Sequence, residues 1–110
     1  MTSVNFLADE KNLYGFEIGG HSSVDCDDIE GKIVCAAVSS AAYMAANTII
    51  EVIGDKAFVE VSDAKMILRC KNASQSSISV LEGLKLHLTC LAQDYSNNIK
   101  IYGGAKNVKD

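Results

Sequence analysis

Residues 20–40 read GHSSVDCDDIEGKIVCAAVSS, and the change of pattern inside this stretch decides the fold. Its first half holds His21 and an acidic loop of Asp25, Asp27, Asp28 and Glu30, closed by Gly31. Its second half opens at Cys35 into an alanine-rich run. From Val34 to Ile53, the residues Val38, Ala42, Ala45, Ile49 and Ile53 recur at helical spacing, and no charge lies between Lys32 and Glu51. A helix that is apolar nearly all round is buried, either under a sheet or in a subunit interface. Gly54 supplies its stop. The uncharged run from Ile33 to Ile50 is too weakly apolar to predict a membrane span.

On either side the period changes from helical to alternating. Val4, Phe6 and Ala8 alternate, residues 9–12 turn, and Tyr14, Phe16 and Ile18 alternate again, which predicts a hairpin. Gly19 and Gly20 end its second strand and let another chain approach closely. A second hairpin joins Ala57, Val59 and Val61 to Met66, Leu68 and Cys70 through Ser62 and Asp63. Leu81, Leu84, Leu88, Leu91 and Tyr95 mark a second helix, capped by the serines between 74 and 77. Gly83 inside it costs about 1 kcal/mol against alanine and suggests close packing. Ile99 and Ile101 form a last strand, with a frayed tail from Gly103. The order ββαββαβ predicts one α+β, two-layer domain over residues 1–110. Its sheet is mostly antiparallel, of about five strands, with two helices on one face.

A chain of 110 residues, 48% apolar and 22% charged, is long enough for one core. A net charge of -4 argues against direct nucleic-acid binding, which needs clustered Lys and Arg. Residues 1–9 lack the basic and apolar regions of a secretory signal, so the expectation is a cytoplasmic protein with reduced thiols and no membrane partner.

Four cysteines are candidates for chemistry: Cys26, Cys35, Cys70 and Cys90. Cys70 and Cys90 accompany apolar stripes and read as small buried hydrophobes. Cys26 lies in the polar loop. Cys35 alone combines an expected helix start, where the dipole and free amides favour a thiolate, with a candidate base upstream. The plain alternative is that Cys35 packs as one more small residue. A redox or metal role for His21, Cys26 and Cys35 lacks a CxxC pair and a fourth ligand, so neither metal nor cofactor is expected. His87 lies between leucines and reads as an ordinary helix residue.

Gly20-His21, the acidic glycine-containing loop and the run Ile33-Val34-Cys35-Ala36-Ala37-Val38-Ser39 together resemble the signature of the Prp family, bacterial ribosomal-processing cysteine proteases. The resemblance implies a homodimeric, cofactor-free endopeptidase. Its substrate would be the short N-terminal extension of ribosomal large-subunit protein twenty-seven, removed during ribosome maturation. It also implies His21 as catalytic histidine and Cys35 as nucleophile, with Gly20 and Ser39 as further matching positions. Amides near Cys35 and Ala36 would then face the oxyanion. The substrate would lie as an extended peptide along Gly19 and Gly20, its apolar side chains in pockets lined by Tyr14 or Phe16. Many members carry an aspartate three residues before the cysteine, where this chain has Lys32. Asp27, Asp28 or Glu30 can take that orienting role, or His21 and Cys35 act as a dyad. The competing reading is a catalytically inactive peptide-binding or ribosome-associated module of the same fold.

Overall fold

The computed structural model describes residues 1–19, 29–63 and 65–104. Its elements run β1 (Thr2–Ala8), β2 (Leu13–Gly19), α1 (Ile29–Asn47), a π-helical continuation (Thr48–Ile53), β3 (Ala57–Ser62), β4 (Lys65–Cys70), α2 (Gln75–Asp94) and β5 (Ile99–Gly103). The strands form one five-stranded sheet in the order β3-β4-β2-β1-β5. Three neighbouring pairs are antiparallel and β1–β5 is parallel. The expected α+β order and strand number are therefore found, in a mixed sheet.

One core holds the layers together. Val4 and Phe6 of β1, Phe16 and Ile18 of β2, and Met66 and Leu68 of β4 meet Val34, Val38, Ala42, Ala45 and Ile49 from the first helical run and Leu81, Leu84 and Leu88 from α2. The continuous helix Ile29–Ile53 is long and apolar enough to cross a membrane. Its fully buried Val38, Ala42 and Ile49 show that it serves instead as the core helix of this layer.

Two expectations about strand faces change. The register of β1 and β2 shifts between Leu7 and Ala8, so Leu7 pairs with Gly15 and Ala8 with Leu13. Tyr14 is the extra residue of this bulge; Leu13 turns into the core in its place, 1% exposed. β3 lies at the sheet edge, and Val59 and Val61 remain 37% and 50% exposed although their spacing matches a buried strand.

The helix ends are built by local chemistry. Gly54, at φ 88°, closes the first helical run with its N–H on the carbonyl of Ile49. Ser74 caps α2 by accepting the Ser77 amide at 3.3 Å. The carboxylate of Asp55 accepts from the Ser74 amide at 2.9 Å, the Ser74 hydroxyl at 2.7 Å and the Ser77 hydroxyl at 2.5 Å. One acid thus ties the end of the first helix to the start of the second. Gly83 does not mark close packing: a Cβ there would meet nothing within 4 Å.

Candidate active site

The apolar stripe that buries Val34, Val38 and Ala42 in the core leaves Cys35 on an adjoining face of α1. Cys35, Ser39 and Tyr43 follow one another at four-residue steps, so they share that face. All three line a cavity of about 150 Å³. Its floor and far wall come from the sheet: Thr2 at the start of β1, Ile18 and Gly19 at the end of β2, Val61, Ser62 and Asp63 at the end of β3, and Lys65 and Met66 at the start of β4. The strand order explains this gathering, because antiparallel β2–β4 and β4–β3 pairing brings the end of β2 and the β3–β4 turn to one end of the sheet.

Cys35 is a free, partly exposed thiol. Its place in the helix differs from the expectation. α1 begins at Ile29 and takes Glu30, Gly31 and Lys32 into its first turn, which puts Cys35 in the second turn. The free amides and the dipole's strong field belong to the first turn. Cys35 does not open the helix. The Cys35 and Ala36 amides are inside the α-helical ladder, committed to carbonyls four residues back, and are not oxyanion donors. Ser39, whose hydroxyl lines the cavity, is the polar group on this face that can donate to a developing charge.

Gly19, the last residue of β2, lines the same cavity as Cys35 and Ser39. His21 follows it by two residues. His21 itself, with Gly20, Cys26, Asp27 and Asp28, lies outside the described residues. Glu30 is in the first turn of α1, about 140° around the helix from Cys35 at 100° per residue, and is not a lining residue. Asp63 is the one acidic lining residue among those described.

Several other expected roles resolve differently. Phe16 is fully buried in the core, and Tyr14 borders a separate cavity beside Asn12 and Cys70; neither reaches Cys35. The aromatic residue of the site is Tyr43, which the four-residue step from Cys35 and Ser39 could have revealed. Val61, Asp63 and Lys65 carry no local signal, since only the sheet order brings them to the thiol. Cys70 is buried as expected, and burial, then the nearby Asp55 charge, pushes its thiol above the ordinary value. Cys90 is exposed, because it stands two residues from Leu88, on the opposite side of α2. His87 is also exposed, beside the groove between the helices. Among the described residues no group of three or more His, Cys, Asp or Glu is placed to hold a metal ion.

With the cysteine, its helix face and the strand leading to the histidine in place, the chain's relatives can be set beside it. Residues 1–100 match the family model of the cysteine protease Prp, and the chain belongs to that family. Among solved structures, SMU.848 from Streptococcus mutans is similar at 19% identity, with 94% of this chain and 96% of that one covered and a TM-score of 0.83. An essential ribosomal processing protease, Prp, from S. aureus, in complex with a substrate peptide, is similar at 19% identity, with 93% and 99% covered and a TM-score of 0.84. The same protease with a covalently linked product peptide is similar at 20% identity, with 94% and 99% covered and a TM-score of 0.77. No curated protein matches the chain in sequence.

Proposed function

We propose that this protein is a cytoplasmic cysteine endopeptidase that removes the short N-terminal extension of ribosomal large-subunit protein twenty-seven during ribosome maturation. The observation that carries the reading is the shared cavity: Cys35 and Ser39 from α1 face Gly19, and His21 comes two residues after Gly19. Membership of a cysteine protease family supports it, and the S. aureus relative's substrate and product peptides support a peptide as ligand.

In this mechanism His21 takes the proton of Cys35, and the sulfur attacks the scissile carbonyl. The Ser39 hydroxyl donates to the oxyanion, a contact whose loss typically costs about 2.7–4 kcal/mol in other hydrolases. His21 then protonates the leaving amine and activates water against the thioester. With Lys32 where many relatives have aspartate, Asp63 is the described acid best placed to accept the imidazole's other N–H.

We assign the homodimer to the exposed side of α1. No charge interrupts it between Lys32 and Glu51, and it presents Ile33 and Met44, 60% and 66% exposed, with Ser40 between them. Sedimentation of the wild type and of a Met44→Lys variant tests this, with a shift toward monomer expected in the variant.

Lys32 also favours the inactive-module reading, since it removes the usual orienting acid. Incubation with a peptide spanning the extension junction separates the two: the protease cuts it, whereas a binding module retains it whole.

A further inference from the structure

The cavity beside Cys35 does not end at the thiol. Val59 and Val61 pair with Leu68 and Met66 across β3–β4, and directly paired residues share a face of the sheet. Leu68 and Met66 point into the core, so Val59 and Val61 stand on the same side as the helices. No helix covers them: they are 37% and 50% exposed. Val61 is at once a wall of the Cys35 cavity and the start of an open apolar strip along the sheet edge.

We infer that this strip seats the substrate: Val61, with Tyr43, Ile18 and Met66, encloses one apolar substrate side chain beside Cys35, and Val59 receives the side chain two residues further along. The inference rests on the peptide-cleaving reading and adds where the peptide lies and what it must carry. Two properties of the site fit one occupant, an extended apolar peptide. An extended chain places every second side chain on one face at a repeat of about 6.6–6.8 Å, the same repeat that separates Val59 from Val61. A cavity of about 150 Å³ is known elsewhere to hold a single benzene-sized group, so it takes one Leu, Met or Phe side chain. Asp63 and Lys65, also lining residues, put one charge of each sign beside it, which leaves apolar fit rather than net charge to select the residue.

Immobilised Cys35→Ala protein, presented with a peptide library randomised at five consecutive positions, tests the assignment. Bulky apolar residues are expected to be enriched at two positions separated by one. Adding Val61→Glu should remove the enrichment at one of the two and weaken binding of the selected peptide by at least about tenfold, because a carboxylate would be desolvated against it. Val59→Glu should act on the other position. Both valines are solvent-accessible, so both variants should melt within a few degrees of the parent. A library that yields no retained peptide, retained peptides without apolar enrichment, or affinities within about twofold in both variants would overturn the assignment. Wild-type protein incubated with the selected peptide reports separately on the chemistry. A peptide that binds through Val61 yet stays whole removes the protease reading and leaves the docking strip standing.

Discussion

Gly19 and Cys35 line one cavity, so the strand that leads to His21 stops where the thiol of α1 is partly exposed. Bringing these two segments together is what the mixed sheet does for the chemistry. β2 is its central strand, and α1 packs over it through Val34, Val38 and Ala42.

Burial predicts thiol reactivity. In the folded protein at neutral pH, iodoacetamide should modify Cys35 and Cys90, which are partly and fully exposed, and spare Cys70, which is 6% exposed. Cys70 should react at least about tenfold more slowly than Cys90, because it is screened and its thiol is held protonated by burial. Peptide mass mapping over time checks this. Equal rates at Cys70 and Cys90 would contradict the packing of β4.

The Asp55 cluster predicts a pH-dependent helix junction. The Ser77 hydroxyl, then the amide and hydroxyl of Ser74, hold the Asp55 carboxyl below its ordinary value. A carboxyl with a lower value in the folded than in the unfolded state stabilises the fold above the unfolded value of about 3.9. That contribution is lost as pH falls through the lower folded value. Asp55→Asn should therefore reduce stability at pH 7, and the gap to wild type should close on acidification below about pH 4. Ser77 is fully buried, so Ser77→Ala should cost about 1.5–3 kcal/mol, the usual contribution of a hydrogen bond to a charged group. Urea denaturation at several pH values measures both.

The orienting acid is decided by position. If Asp63 holds the imidazole, Asp63→Asn should lower kcat by about tenfold or more with little change in KM, since it removes a hydrogen bond used in the reaction and not in binding. Glu30→Gln should leave kcat within about twofold, because Glu30 points away from the cysteine's face of α1. Steady-state cleavage kinetics of the two variants distinguish this from a two-residue mechanism, in which neither matters.

Most of the architecture is legible in the residue pattern. The alternation of Val4 and Phe6, the helical spacing of Val38, Ala42, Ala45 and Ile49, and the leucines of α2 each mark a buried face, and the model buries them. The misreadings have local physical causes. The bulge at Tyr14 exchanges Tyr14 for Leu13, and a bulge leaves the composition of a strand unchanged. Glu30, Gly31 and Lys32 look like a loop, yet a helix supported by core packing at Val34 extends back through them despite the glycine. Val59 and Val61 look buried because their spacing is that of a core strand, whereas their edge position is a property of the whole sheet. The cysteine was readable from its neighbours along α1. Its opposite wall was not, because Val61, Asp63 and Lys65 reach it only through the strand order.

The measurement that bears most directly on the central claim is cleavage of a peptide spanning the extension junction of ribosomal large-subunit protein twenty-seven. Wild type, Cys35→Ala and His21→Ala are compared by mass spectrometry of the products. Wild type should cut at one bond, and Cys35→Ala should bind the peptide and leave it whole. His21→Ala should be slowed by at least about a hundredfold, the lower end of a general base's contribution. A peptide left intact by wild type, or cut equally well without the Cys35 sulfur, would contradict the account.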